Sequence, residues 1–357
     1  MKTPPTLGYW TRRAIIGLEH GFYRSSAHVS RALGRQRKVM TPEIYRAFSF
    51  RDKVDVKGRV LAARTLPEPT EYDSWWTNGR RMIRRWLTSE EPGARVVVSI
   101  AGTVTETVSD DEGYFELELD APSSADTIEV WLPTSENPEI ITAPILRNDY
   151  EPSVVVISDV DDTVFLSNTA KLIGMIKTAL LGNALTRQIF DGVPALYQIL
   201  RTGPDGNGKN PISYVTSSPW NLHSLMERIF NHRGIPAGAY FMTDWGVSHD
   251  NWLKESNPVH KRRAILKIMR WFPDAPVVLL GDSSQHDPEI YLRIAQEHPG
   301  RIAAIAIRDV AVMPSPTEPI PDSIPYLLHK DTATARSFIL GKLGWERGEV
   351  KAEKLKS

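Results

Sequence analysis

Residues 154–163 read Val-Val-Val-Ile-Ser-Asp-Val-Asp-Asp-Thr. The run of four β-branched residues predicts a buried strand that ends close to Asp159. Asp161 and Thr163 follow at alternate positions, so two carboxylates and a hydroxyl are expected at one strand tip. One carboxylate there can attack phosphorus, while the second protonates the leaving oxygen and later deprotonates water. The alternative is a loop whose acidic side chains cap a helix.

The two carboxylates also predict a metal. Two neighbouring anions that face a phosphate require a cation, and oxygen ligands favour Mg²⁺. The chain has no cysteine, which excludes disulfides, zinc–thiolate sites and cysteine nucleophiles. Zinc hydrolysis through histidine is disfavoured because no helical His pair encloses a Glu. The candidate zinc ligands would be His223, His249, His260 and His286.

The second half of the chain alternates apolar runs with helical patterns. The runs lie at 154–158, 212–216, 239–242, 277–280 and 302–307, and the helical patterns at 220–231, 261–271, 289–297 and 331–343. This alternation predicts an α/β domain, a Rossmann-like parallel sheet with helices on both faces. Ligands bind beyond the carboxyl ends of the strands in such sheets, so functional side chains are expected directly after each run. Prolines over 319–328 predict irregular structure.

The first half of the chain reads mainly as β structure. Short alternating runs at 54–61, 95–100, 103–108, 114–119 and 127–132 predict a β-sandwich-like domain over 51–150, with an inserted helix at 72–87. Asp110 to Gly113 predicts a hairpin connection. The remaining segments are a basic, partly helical stretch over 1–50, a catalytic domain over 151–345 with a helical cap at about 165–205, and a basic tail over 346–357.

Polar residues follow the later strands where this fold places its chemistry. Thr216 and Ser217 follow the second strand, and Ser218 is predicted to be a helix N-cap with Pro219 at the first helical position. Hydroxyls and free N–H groups at such a terminus hold phosphate. Lys261 heads the apolar face of a helix, where a cation needs an anionic partner. The alternative is a lysine that extends its amine to solvent.

Two further acids follow the fourth strand. Asp282 lies at the strand tip, where a metal-binding carboxylate is expected. Asp287 precedes Pro288 and a helix, so a metal ligand and a helix N-cap both account for it.

These motifs, in this order, resemble the haloacid dehalogenase-like phosphatase superfamily. The longer strings at 157–163, 214–221, 260–261 and 281–291 resemble the catalytic domain of the actin-patch-protein phosphatidate phosphatase family, over about 150–310. The resemblance implies that Asp159 is a nucleophile that becomes phosphorylated and that Asp161 is the general acid and base. It also implies that Lys261 offsets charge and that Thr163 supports the catalytic loop. The predicted phosphate-binding set is Thr163, Thr216 and Ser217.

The same resemblance implies a Mg²⁺ site formed by Asp159, the backbone oxygen of Asp161, Asp282 and Asp287. Two positions depart from the family pattern. Ser284 stands where a glycine usually follows Asp-Ser, and Thr243 stands where a basic residue often precedes Asp-Trp. Neither is a predicted catalytic position, but the change at Thr243 can alter contacts with the substrate, so the substrate is less fixed than the chemistry.

The distribution of charged and apolar residues along the chain indicates where the protein is located and which partners it can bind. Residues 1–65 contain 14 Lys or Arg and four Asp or Glu, a net charge of +10. Such a segment can meet anionic lipid or nucleic acid, or can offset acidic surface elsewhere; we favour the last and expect no nucleic-acid partner. No run of about 18 apolar residues occurs, and Glu19 and His20 interrupt the first apolar stretch. We therefore expect a cytoplasmic protein, with peripheral membrane contact and oligomeric state left open.

Three functions remain open at this point. The first is a Mg²⁺-dependent phosphatidate phosphatase that releases diacylglycerol and phosphate. The second keeps the chemistry but acts on a soluble phosphomonoester such as a nucleotide, a sugar phosphate or a polynucleotide end. The third is a non-catalytic lipid- or protein-binding module. Retention of Asp159, Asp161 and Asp282 disfavours the third.

Overall fold

The computed structural model describes residues 40–62, 92–133, 138–160, 163–164, 189–243, 257–284, 286–310 and 319–345. All of them belong to one compact unit of the chain. The predicted inserted helix at 72–87, most of the cap, the basic tail and Asp161 lie outside the described residues. None of the described helices is both long enough and apolar enough to cross a bilayer.

Seven strands form two antiparallel sheets in the first part of the chain. They are β1 Met40–Phe50, β2 Lys53–Ala62, β3 Arg95–Ile100, β4 Thr103–Val108, β5 Tyr114–Asp120, β6 Thr127–Trp131 and β7 Ile141–Pro144. The sheets have the orders β1-β2-β5 and β4-β3-β6-β7. Valines 54 and 56 of one sheet share a core with Val96 and Val98 of the other. The predicted antiparallel β structure is therefore confirmed.

Two expectations for this part of the chain are wrong. Residues 40–50 form strand β1 and pair with β2, so β structure is present before the predicted boundary at 51. The end of β1 is buried on both faces, because Ala47 packs in the sandwich core while Phe48 and Phe50 pack in the core of the α/β part. A strand buried on both sides lacks the alternation that marks a half-buried strand.

The connection from Asp110 to Gly113 is the second correction. It is a tight turn with Gly113 at φ +80°, but it joins strands of different sheets. Strand β4 pairs with β3, and β5 pairs with β2. Turn chemistry fixes a local reversal of the chain, and it does not decide which strands then pair.

A six-stranded parallel sheet forms the second part. Its strands are β8 Val155–Ser158, β9 Ile212–Pro219, β10 Ala239–Thr243, β11 Val277–Asp282, β12 Ile302–Arg308 and β13 Tyr326–His329. Their order is β10-β9-β8-β11-β12-β13. The order reverses between β8 and β11, and ligands bind at such a switch point. Strand β13 lies partly in the stretch predicted to be irregular; it is only four residues long and pairs on one side alone.

Within the described residues, five helices cover this sheet: α1 Val193–Thr202, α2 His223–His232, α3 Asn257–Trp271, α4 Asp287–Glu297 and α5 Thr332–Leu343. Successive residues of β8 point to opposite faces. Val156 packs with α1, α2 and α5, whereas Val155 and Ile157 pack with α3 and α4. The predicted α/β class, with a parallel sheet between helices, is confirmed.

The β sandwich is fixed to helix α3 by buried charges. Asp55 is fully buried and accepts from Arg46 Nε and, at 2.8 Å, from Lys267 Nζ of α3. Arg46 Nη1 also donates to the Tyr240 carbonyl of β10 at 2.7 Å. The ring of Trp271 stacks on Phe50, with ring centroids 4.9 Å apart. The two parts of the chain therefore share a packed, charge-paired interface.

Substitution Asp55→Asn is expected to lower the free energy of unfolding by about 3 kcal/mol, because it leaves two cations without their shared buried anion. Urea denaturation measures the change. The matched control is Asp120→Asn, since Asp120 is 87% exposed and pairs with Lys53 at 3.2 Å. The control is expected to change the free energy by less than about 1 kcal/mol. Equal losses in the two variants would show that the interface does not depend on Asp55.

Candidate active site

The candidate site lies where the carboxyl ends of β8 and β11 meet the beginnings of α3 and α4. Asp159 directly follows β8, Asp282 ends β11, and Asp287 begins α4. Lys261 lies in the second turn of α3, which starts at Asn257-Pro258 and not near 260 as predicted. Proline is favoured in a first helical turn, so the sequence carried this signal. All four side chains are at least 98% buried.

Lys261 joins two of the three carboxylates. Its Nζ lies 2.8 Å from Asp159 Oδ1 and 2.5 Å from Asp287 Oδ1. The amine does not reach solvent, so the alternative of a lysine extended to water does not hold. Burial alone would lower the pKa of Lys261, but Asp159 and Asp287 raise that pKa above its ordinary value. The lysine is therefore a fixed buried cation.

The carboxylates outnumber this cation. Oxygens of Asp159, Asp282 and Asp287 all lie within 4.8 Å of one another. Burial and the charge of Asp287 raise the pKa of Asp282 to about 6. Asp282 Oδ2 and Asp287 Oδ2 have no hydrogen-bond partner within the described part of the chain. A buried set of carboxylate oxygens with spare acceptors fits a hard divalent cation such as Mg²⁺.

Asp287 takes its place because residue 281 is a glycine. A Cβ at Gly281 would lie 2.7 Å from Asp287 Oδ2 and 2.8 Å from Tyr291 Cε2. Any side chain there would displace Asp287 from the tip of β11. The helix-cap alternative for Asp287 is not observed: it is the first residue of α4, the capping position is His286, and its carboxylate faces Lys261.

Ser284 fits its position without a glycine. Asp282 Oδ1 accepts from the backbone N–H of Ser284 at 2.6 Å, a contact that any residue can supply. Ser284 does not adopt the positive φ that would favour glycine, since the positive-φ non-glycine residues of the described chain are Arg51 and Ala101.

The predicted phosphate-binding residues Thr216 and Ser217 lie in β9, and Thr163 follows β8. Thr216 is fully buried in β9, and its Oγ1 accepts from the Ser218 N–H at 3.0 Å. Ser217 is partly buried, and its carbonyl accepts from Thr243 Oγ1 at 2.8 Å. Thr163 is 94% buried after the loop that contains Asp161. Phosphate contact by these three residues stays a prediction.

The predicted N-cap at Ser218 is wrong. Strand β9 continues through Pro219, which pairs with Thr243 of β10 and has extended φ and ψ of −75° and 153°. A 3-10 turn over Trp220–Leu222 follows, and α2 begins only at His223. Pairing with β10 therefore keeps the chain extended for three residues beyond the predicted strand end.

Two residues near Asp159, Leu280 and Tyr291, carried no recognisable sequence signal. The Asp159 N–H donates to the Leu280 carbonyl at 2.8 Å, and the Tyr291 hydroxyl donates to the same carbonyl at 3.1 Å. Tyr291 also forms the wall against Gly281. An aromatic residue at a helical apolar position indicates core packing, so the sequence does not reveal this contact.

The segment that carries this geometry matches a known family. Residues 154–309 match the family described as "Phosphatidate phosphatase APP1, catalytic domain". That span runs from β8 to β12 and contains Asp159, Lys261, Asp282 and Asp287. The match supports the family resemblance read from the motifs. A phosphatidate phosphatase is a phosphoric monoester hydrolase, so the matched family is one of enzymes.

Two curated fungal proteins are similar to parts of the chain. The phosphatidate phosphatase APP1 of Saccharomyces cerevisiae is 29% identical over 154 residues, which cover 43% of this chain and 25% of that protein. An uncharacterized protein of Schizosaccharomyces pombe is 29% identical over 220 residues, which cover 56% of this chain and 33% of that protein. The alignments thus span only about a quarter to a third of these relatives.

Similarity to solved structures is weak. A carbohydrate acetylesterase from Xanthomonas citri aligns over 80% of this chain and 71% of its own, with 12% identity and a TM-score of 0.26. A score of that size does not indicate a shared fold.

Substitution Lys261→Met is expected to lower the free energy of unfolding by about 3–5 kcal/mol, because it leaves buried carboxylates without their cation. Adding Asp287→Asn to this variant should recover part of the loss, since one uncompensated charge is removed. The control Lys53→Met alters a lysine whose side chain is 45% exposed. Urea denaturation without added metal compares the variants. A loss no larger than that of Lys53→Met would contradict the charge pairing described here.

Proposed function

We propose that this chain is a Mg²⁺-dependent phosphatidate phosphatase of the haloacid dehalogenase-like type, with a Rossmann-like catalytic domain and an aspartyl-phosphate at Asp159. One observation carries the proposal. A buried lysine lies between Asp159 and Asp287, beside Asp282, at the switch point of a parallel sheet. This constellation lies within the segment that matches a phosphatidate phosphatase catalytic domain.

The pairing with Lys261 suits Asp159 to nucleophilic attack. A carboxylate must be ionised to attack phosphorus, and an ammonium at 2.8 Å favours the ionised form in a buried site. In the first step an Asp159 oxygen bonds to phosphorus while the bond from phosphorus to the lipid alcohol breaks. In the second step water attacks phosphorus, and inorganic phosphate leaves the regenerated carboxylate. Asp161 is proposed to protonate the leaving alcohol and then to accept the proton from water.

The carboxylates of Asp159, Asp282 and Asp287 would hold the metal, with the backbone oxygen of Asp161. When bound, Mg²⁺ offsets the charge of the phosphate and polarises a phosphoryl oxygen. Lys261 stays protonated and adds a second positive charge next to the attacking oxygen. The buried surroundings of these side chains exclude bulk water and strengthen their electrostatic interactions.

Phosphatidate is proposed as the substrate because the family and the yeast relative carry that name. Most of the helical cap and most of the basic N-terminal segment lie outside the described residues. We propose a cytoplasmic location on the same grounds as the sequence expectation, which leaves peripheral contact with anionic membrane open.

The decisive activity experiment measures phosphate release by the wild type and by Asp159→Asn, with Mg²⁺ or with EDTA. Short-chain phosphatidate in mixed micelles and a panel of soluble phosphomonoesters serve as substrates. We expect Mg²⁺-dependent release from phosphatidate and a loss of about a thousandfold or more in the variant, because the attacking group is removed. Asp274→Asn is the matched control, since the Asp274 side chain is 92% exposed and pairs with Arg51 at 3.1 Å.

Each alternative outcome has a defined meaning. Release from soluble esters alone would keep the mechanism and replace the substrate. Full turnover by Asp159→Asn would overturn the assignment of the nucleophile. No release from any phosphomonoester would favour a binding module.

Metal binding has a separate test that does not depend on turnover. Mg²⁺ is expected to raise the melting temperature of the wild type, since a ligand at about 100 times its Kd stabilises by about 2.7 kcal/mol. Asp282→Asn should lose most of that response. In EDTA the same variant should melt no lower than the wild type, because it relieves repulsion among buried carboxylates. An undiminished Mg²⁺ response in Asp282→Asn would place the metal elsewhere.

A further inference from the structure

A buried pair of hydroxyls lies directly behind the nucleophile. Ser158 ends β8 and is fully buried, and its Oγ donates to the Asp159 carbonyl at 2.6 Å. The Tyr197 hydroxyl lies 2.5 Å from the same Oγ. Because serine has one hydroxyl hydrogen, which goes to Asp159, the tyrosine must be the donor to Ser158. Burial raises the pKa of Tyr197 well above its ordinary value, so this donor keeps its proton.

The main chain at Asp159 is held from two sides as a result. Its N–H donates to the Leu280 carbonyl at 2.8 Å in β11, while its carbonyl accepts from Ser158. Both backbone polar groups of the residue therefore have short bonds to buried partners. With the main chain fixed, the direction in which the Asp159 side chain leaves the strand tip is fixed as well.

Tyr197 is itself rigidly placed. It lies in α1, and its ring is stacked on Tyr214 of β9 at an interplanar angle of 10° and a centroid distance of 6.2 Å. Helix α1 follows closely after Phe190, whose N–H donates to the Val164 carbonyl at 3.3 Å. The chain thus leaves the catalytic loop at Val164 and returns at Phe190, and the helix that follows carries Tyr197.

We propose that Tyr197 and Ser158 are positioning residues, which act through a two-step hydroxyl relay to hold the Asp159 main chain in place for attack on phosphorus. The inference rests on the function proposed above and adds two residues to it. Without the tyrosine, the serine hydroxyl loses the donor that orients it, and its bond to the Asp159 carbonyl competes with other rotamers. A nucleophile that is displaced by a fraction of an ångström reacts more slowly while substrate binds as before.

The chain supplies a matched pair of variants for this test. Tyr214 is as deeply buried as Tyr197, and its hydroxyl donates to the Pro236 carbonyl at 2.7 Å, away from Asp159. Tyr197→Phe and Tyr214→Phe each remove one buried hydrogen bond and should lower the melting temperature similarly. Of these two tyrosine variants, Tyr197→Phe alone is expected to lower kcat. The expected decrease is about tenfold, with KM changed less than about twofold. Ser158→Ala should likewise lower kcat with little change in KM. Because both residues act through one relay, the double variant Ser158→Ala/Tyr197→Phe should have a kcat no lower than that of Ser158→Ala alone.

Amide hydrogen exchange of the full chain, without substrate, gives a readout that is independent of activity. The segment 155–164 should exchange faster in Tyr197→Phe and in Ser158→Ala, and at the wild-type rate in Tyr214→Phe. If wild-type protein turns over no phosphomonoester, the proposed function fails, while the exchange data still decide whether the relay holds this segment. If turnover is present, equal kcat in the two tyrosine variants, or unchanged exchange in 155–164, overturns the positioning role.

Discussion

The structure depends on one buried ammonium group. Lys261 Nζ lies within 2.8 Å of both Asp159 and Asp287, and these side chains come from a strand end and two helices. Three acids that close together, without a cation, would repel one another and take up protons. The lysine offsets the charge of two of them, and Gly281 lets Asp287 come near enough to pair with it. The ion pairs of Lys261 with Asp159 and Asp287 therefore depend on four features together: the end of β8, the beginnings of α3 and α4, and Gly281.

Helix α3 connects this cluster of charges to the β sandwich. Lys261 faces the acids near its beginning, and Lys267, about 9 Å further along the axis, bonds to Asp55 of the β sandwich. Glu116 strengthens the same contact: burial would raise its pKa, but Arg46, Lys57 and Lys267 lower it to about 2. One helix is thus held at both ends by buried or partly buried ion pairs, with the sheet of the α/β part beneath it.

The order of strands and helices in the α/β part could be predicted because hydrophobic periodicity is a local property. The same holds for Asp159 and Asp282, which follow apolar runs directly. Strand β1 could not be recognised, since burial on both faces by two different cores removes its alternation. Two features depend on residues that are distant in sequence. Asp287 pairs with Lys261, and β9 extends through Pro219 because Pro219 pairs with Thr243 of β10. By its sequence pattern, Tyr197 lies on the apolar face of a helix and Ser158 lies in a strand. The contact between their hydroxyls is visible only in the folded structure.

The boundaries of the matched segment differ from those of the packed structure. Residues 154–309 omit β13 and α5, whose Ile339 is fully buried, and they omit β1, whose Phe48 is also fully buried. Phe48 and Phe50 cover Trp271 on the helix that carries Lys261. A fragment cut at residues 154 and 309 would lose an edge strand and expose aromatic surface beside helix α3. The segment that matches the family is therefore shorter than the stretch of chain that packs into a closed hydrophobic core.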